Sequence, residues 1–154
     1  MKEPRWLDER EARVWKMYRD LRRDLQSAQE RQLLRDSGLS GADYALLVPL
    51  SDAPGGLLRS RELGLEVGWE RSRLSHQIIR MEKRGLVTRE PCADDARGAM
   101  VRLTASGRSA IESAAPLHVE TVRRCFFDPL TSQEVDTLGE LIGRMLDAVG
   151  REPG

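Results

Sequence analysis

Two arginines, two serines, a histidine and a glutamine crowd into nine positions from Ser72 to Arg80, in a stretch with helical periodicity. Arg73 and Arg80 can bond guanine bidentately or pair with phosphate. Ser72 and Ser75 are short donor-acceptors that let a helix approach a surface closely, and His76 and Gln77 can reach base edges or phosphates. At ~100° per residue, Leu74, Ile78 and Met81 form one apolar stripe. Ser72, Arg73, His76 and Arg80 then lie on the other side, with Ser75 and Gln77 at the flanks. Two chemistries fit such a face: a reader of duplex DNA or a solvated surface. A solvated face is usually rich in Glu and Lys with i, i+4 pairs, whereas here one acid, Glu70, stands at the helix start, where the dipole suits it.

The flanking chain predicts what positions these residues. A first helix starts near Ser60, a candidate N-cap, with Leu63 and Val67 on one face. Gly68 suits a chain reversal. The second helix is expected from about Glu70 to Arg84, closed by Gly85 with Leu86 making the accompanying apolar contact. Val87-Thr88-Arg89-Glu90 and Met100-Val101-Arg102-Leu103 are two short strand candidates around a turn-rich PCADDARGA segment. The pattern is helix, turn, helix, hairpin. Asp95 and Arg97 are close enough to pair across the tip, which would aim an arginine at a narrow, A·T-rich minor groove. An incidental charged hairpin is the alternative reading of an isolated D-x-R. Arg59, Lys83, Arg84 and Arg89 are candidate phosphate contacts, and Arg71 adds a further cation to the outward side.

These residues resemble those of the MarR (multiple antibiotic resistance regulator) family. The resemblance rests on Trp69-Glu70-Arg71-Ser72-Arg73-Leu74-Ser75-His76-Gln77, on Arg80-Met81-Glu82-Lys83-Arg84-Gly85-Leu86-Val87, on Asp95-Ala96-Arg97 and on Val101-Arg102-Leu103-Thr104. It extends to Leu39-Ser40 and to Phe127-Asp128-Pro129-Leu130-Thr131. It implies a mainly α fold with a small β-hairpin wing (α+β), a winged helix-turn-helix DNA-binding lobe plus a helical dimerisation lobe. The reading-helix contacts it implies fall on Ser72, Arg73, Ser75, His76 and Arg80, and the minor-groove contact on Arg97. Ala96 stands where many relatives carry a second arginine. The implied function is a dimeric repressor on a pseudo-palindromic operator, with a possible small-molecule effector. A winged helix that serves as a protein interface or an architectural DNA binder is the alternative.

Composition is consistent with this. One domain is expected for 154 residues, with 39–104 as the winged lobe and 7–37 and 105–149 as dimerisation helices. Net charge is zero, but Arg59 to Arg108 holds eleven Lys/Arg against seven Asp/Glu, leaving the remainder acidic. A basic module in an acidic chain marks a locally positive face.

The ends are amphipathic helices. Val14, Met17, Leu21, Leu25 and Ala28 stripe the first, which Gly38 ends. Ser40 and Asp43 form a capping pair for a second helix that Pro49 should bend or end early. Thr104 caps a helix toward Phe127 with a kink at Pro116, and Leu130 to Val149 gives the last. A two-fold dimer of such helices would set two reading helices about one DNA turn, ~34 Å, apart.

Other chemistries find little support. No nucleophile motif, phosphate loop or metal-ligand spacing is present, and Pro54-Gly55-Gly56 lacks the lysine of a P-loop. No cofactor or metal is expected. Cys125, beside Arg123 and Arg124, reads first as an apolar core cysteine, and Cys92 falls in the hairpin. Without a long apolar span or a signal-peptide pattern, no membrane is expected and the chain should be cytoplasmic. The resemblance places an effector pocket near His118, where Trp15, Tyr18 and Tyr44 could join it around an aromatic anion. Packing in the core or dimer is the simpler reading of these aromatics.

Overall fold

A computed structural model of the chain describes residues 1–94 and 98–152. The chain divides into two compact units, Met1–His118 and Val119–Gly154. The first holds α1 (Glu9–Ser37), α2 (Gly41–Asp52), a 3₁₀ turn (Pro54–Gly56), β1 (Leu57–Arg59), α3 (Ser60–Val67), α4 (Arg71–Lys83), β2 (Val87–Pro91) and β3 (Ala99–Leu103), together with the larger part of α5 (Ala105–Val122). The second holds the end of α5, a wide π-type turn (Arg123–Phe127) and α6 (Ser132–Gly150).

Local chemistry sets the helix starts. Asp8 with Glu11, Ser40 with Asp43, and Thr131 with Glu134 form capping boxes at α1, α2 and α6. Gly38 ends α1 in the left-handed conformation at φ 65°. Thr104 takes the N–H of Gly107 on its Oγ1, as expected of a cap for α5.

Three expectations need correcting. Pro49 does not end α2, which runs on to Asp52. The lost hydrogen bond is outweighed because Leu46, Leu47 and Leu50 bury completely around it. Ser60 does not cap α3: the N-cap is Arg59, with no side-chain bond. Arg59 is already held extended by pairing with Met100, so the helix begins one residue early. Cys125 is exposed rather than buried, because it lies in the wide turn, outside the regular apolar period of α5.

Strand β1 pairs antiparallel with β3, which pairs in turn with β2, so β3 is central. The core gathers Leu33, Leu39, Leu46, Leu47, Leu50, Leu63, Leu74, Ile78, Met81, Val87, Val101 and Leu103. It fixes α4 and the hairpin on one scaffold. In the second unit α6 buries no residue within the chain, and Leu141, Ile142, Met145, Leu146 and Val149 stay exposed. No described helix is long and apolar enough to cross a membrane.

Candidate nucleic-acid interface and adjoining pocket

Helix α4 is anchored by the stripe read from its sequence. Leu74, Ile78 and Met81 are buried, and the C-terminus closes as expected. Gly85 adopts φ 74°, its N–H reaches the Glu82 carbonyl, and the Leu86 N–H reaches that of Met81. That 6→1 and 5→2 pair is a Schellman closure with Leu86 buried beneath it. The anchored helix presents Arg71, Ser72, Arg73, Ser75, His76, Arg80 and Lys83 as exposed residues.

Gln77 departs from its expected place. It is 3% exposed and turned inward. Its Nε2 donates to Asp43 Oδ1 at 2.7 Å, and its Oε1 accepts from Arg80 Nη2 at 2.8 Å. A polar residue stands at the edge of the apolar stripe because a buried carboxylate from α2 meets it there.

The cations divide into two sets. Arg84 donates to Asp43 Oδ2 at 2.5 Å and to the Gly38 carbonyl at 3.0 Å. Arg89 pairs with Glu82 at 2.9 Å, Arg102 with Glu90 at 2.5 Å and Arg59 with Asp94 at 3.2 Å. The neighbouring guanidiniums hold the Glu82 and Glu90 carboxyls below their usual range. Arg84, Arg89 and Arg59, expected at phosphates, are thus partly neutralised within the chain. Arg71, Arg73, Arg80 and Lys83 form no salt bridge with an acid among the described residues, so α4 carries four uncompensated cations.

The hairpin runs in register from Val87↔Leu103 to Pro91↔Ala99. The Cys92 N–H donates to the Gly98 carbonyl at 3.3 Å and narrows the tip. Asp95 and Arg97, the expected tip pair, lie outside the described residues.

Beside α4 lies an open cleft of about 360 Å³. Gln26, Gln29, Glu30 and Leu33 of α1 line one side, and Gly41, Ala42, Tyr44 and Ala45 of α2 another. Trp69, Arg73 and His118 complete it. The Tyr44 and His118 rings meet with centroids 4.3 Å apart, and Arg73 stacks over Trp69 at 4.0 Å. Burial lowers the pKa of His118 and raises that of Tyr44, favouring the neutral form of each. His118 Nδ1 is buried without a hydrogen-bond partner among the described residues.

Two of the four expected pocket residues are therefore together, and two are not. Trp15 and Tyr18 stack on each other at 5.5 Å, exposed on α1. Trp15 is eleven residues before Gln26, the nearest lining residue of α1, or about 16 Å along a helix axis. Trp69 was missed, although its i, i+4 spacing to Arg73 was visible. From sequence Asp43 is visible only as a cap, because nothing local announces a partner on α4.

Comparison with known proteins agrees with this geometry. The MarR family model matches residues 37–98. The Streptomyces coelicolor MarR-family transcriptional regulator Sco3205, solved in complex with DNA, is 40% identical with a TM-score of 0.90, covering 98% of this chain and 94% of its own. The MarR-family regulator AbsC of the same organism is 35% identical with a TM-score of 0.90, covering 97% and 100%. The Escherichia coli transcriptional regulator HosA is 30% identical over 109 residues, 71% of this chain and 78% of its own. Shared sequence and shared architecture thus run through the helix-turn-helix, the hairpin and the flanking helices alike, and the chain belongs to the MarR family of transcriptional regulators.

Proposed function

We propose that this regulator is a dimeric, sequence-specific duplex-DNA binder that represses transcription by occupying a pseudo-palindromic operator. The observation that carries the reading is the outward side of α4. Arg71, Ser72, Arg73, Ser75, His76 and Arg80 are exposed there, and two acids close to α4, Asp43 and Glu82, are paired with Arg84 and Arg89 instead. Such a helix can enter a major groove with Arg73 and Arg80 toward base edges and Lys83 toward phosphate. Arg97 is assigned to the minor groove and Asp95 to holding it. Gln77 acts from inside the lobe rather than on DNA, and Arg84, Arg89 and Arg59 contribute less than their number suggests. The dimer is supported by apolar side chains left exposed on α1 and α6, among them Met17, Leu21, Met145 and Leu146. Regulation takes place in the cytoplasm and requires no catalytic step.

A small aromatic anion is a fitting effector for the cleft. Tyr44, Trp69 and His118 offer ring surface and Arg73 a cation. Arg73 belongs to both cleft and reading face, so a bound anion would hold it away from DNA. Trp15 and Tyr18 belong to the dimer surface in this reading.

Binding across a salt series tests the function. The full chain is titrated with its own upstream DNA, with a duplex selected from a random pool, and with a scrambled duplex. The expected result is a preference of roughly 10³ or more for the selected duplex and a steep loss of affinity with salt on every duplex. Equal, weak binding to all three would contradict it and favour a protein-binding winged helix.

A further inference from the structure

We propose that Asp43 is a positioning residue for DNA reading, acting through Gln77 to fix the guanidinium of Arg80 at the edge of the outward face of α4. The inference rests on the reading of Arg80 as a DNA-contacting side chain.

Asp43 is 2% exposed, yet its carboxylate does more than cap α2. Oδ2 accepts the Ser40 N–H at 2.9 Å, which completes the capping box. The same oxygen accepts from Arg84 at 2.5 Å, and Oδ1 accepts from Gln77 Nε2 at 2.7 Å. Gln77 Oε1 then accepts from Arg80 Nη2 at 2.8 Å. The chain of bonds begins on buried α2 and ends at an exposed arginine of α4.

Its direction is set by the chemistry of its two ends. A carboxylate only accepts and a guanidinium only donates. The Gln77 amide can satisfy both in one orientation, NH₂ toward Asp43 and oxygen toward Arg80. Flipped, it would set oxygen against carboxylate and NH₂ against guanidinium. Buried polar atoms left unpaired are costly, so the flipped state is disfavoured at both ends. Arg80 is thereby held before DNA arrives, and its remaining N–H donors stay available. An arginine free to rotate must lose that freedom on docking. One that is held has lost it on folding, and it also enters the groove at a fixed angle. Arg84 ties the same carboxylate to the Gly38 carbonyl at the end of α1, so the hub is itself braced.

The test compares the full-length wild type with Q77M, R80A, Q77M/R80A and D43N, each checked for folding by thermal melting. Affinity is measured for a duplex selected from a random pool and for a scrambled duplex of equal length. R80A and Q77M are each expected to lower the preference for the selected duplex by roughly tenfold, with affinity for the scrambled duplex within about twofold of wild type. The double variant should be no worse than R80A, because the two residues act in series. D43N should show the same loss of preference at a lower melting temperature. Q77N, which keeps the amide but is too short to bridge both partners, replaces Q77M if Q77M does not fold. Wild-type preference in a folded Gln77 variant, or additive losses in the double variant, would overturn the positioning role while leaving Arg80 as a contact. Wild-type preference in R80A would overturn the reading of Arg80, and the proposal with it.

Discussion

His118 sits against Tyr44 with its Nδ1 buried and, among the described residues, without a hydrogen-bond partner. Burial pushes its pKa below the ordinary 6.5, and the sign of the consequence follows. Above about pH 6.5 the ring is neutral whether the chain is folded or unfolded, so stability is unaffected. As pH falls from there toward the lower folded-state pKa, the unfolded chain binds the proton more readily and stability is lost. A urea midpoint that falls between pH 7.5 and 5.5 in wild type, and falls less in H118F, is the expected outcome. Equal falls would contradict it. The contact of His118 with Tyr44 was legible as a grouping of aromatics but its other members were not. Residue type suggests Trp15 and Tyr18 as readily as Trp69, and only position along α1 separates them. Gln77 teaches the same lesson from the other side. Its angle placed it on the border of the apolar stripe, its polarity suggested the outside, and a carboxylate 34 residues away decided the matter.

Elements were more legible than contacts wherever their ends carry their own chemistry. The Ser40–Asp43 capping box of α2 and the Gly85 closure of α4 are each written within a few residues and are read from them, whereas the boxes of α1 and α6 appear only in the structure. Strand β1 was not legible because three residues between Pro54-Gly55-Gly56 and α3 are too short to show alternation. It exists because β3 offers it an edge. Pro49 does not end α2, since its local penalty is visible in sequence and the surrounding burial is not. One joint between elements makes a sharp prediction. A Cβ on Gly107 would come within 2.1 Å of the Leu86 carbonyl oxygen and 2.6 Å of Leu103 Cδ1, where α5 begins against the α4–β2 connection. G107A should therefore cost about 1–3 kcal/mol or more, despite alanine's better helix propensity. Equilibrium urea unfolding measures it, and a midpoint at or above wild type would show that the joint yields.

For the whole molecule, zero net charge conceals a division of labour. Acids offset Arg59, Arg84, Arg89 and Arg102 around the hairpin and its supports, whereas Arg71, Arg73, Arg80 and Lys83 of α4 stay unpaired among the described residues. That division was legible as a basic segment, but which cations are spent depends on tertiary pairing. Among the described residues α6 has none that is buried, and its exposed apolar side chains are the physical case for a second copy. Light scattering at micromolar concentration should give the mass of a dimer, about twice 17.4 kDa. M145E/L146E should reduce it toward one chain, because charges placed in an apolar interface must be desolvated. A wild-type monomer, or a variant that stays fully dimeric, would remove α6 from the interface.

Hydroxyl-radical footprinting of the full-length protein on a duplex selected from a random pool tests the central claim most directly. The expected result is two protected half-sites related by a two-fold axis, their centres about 10 base pairs, or ~34 Å, apart. Protection confined to a single half-site, or none beyond that seen on scrambled duplex, would contradict a dimer that reads an operator with paired α4 helices.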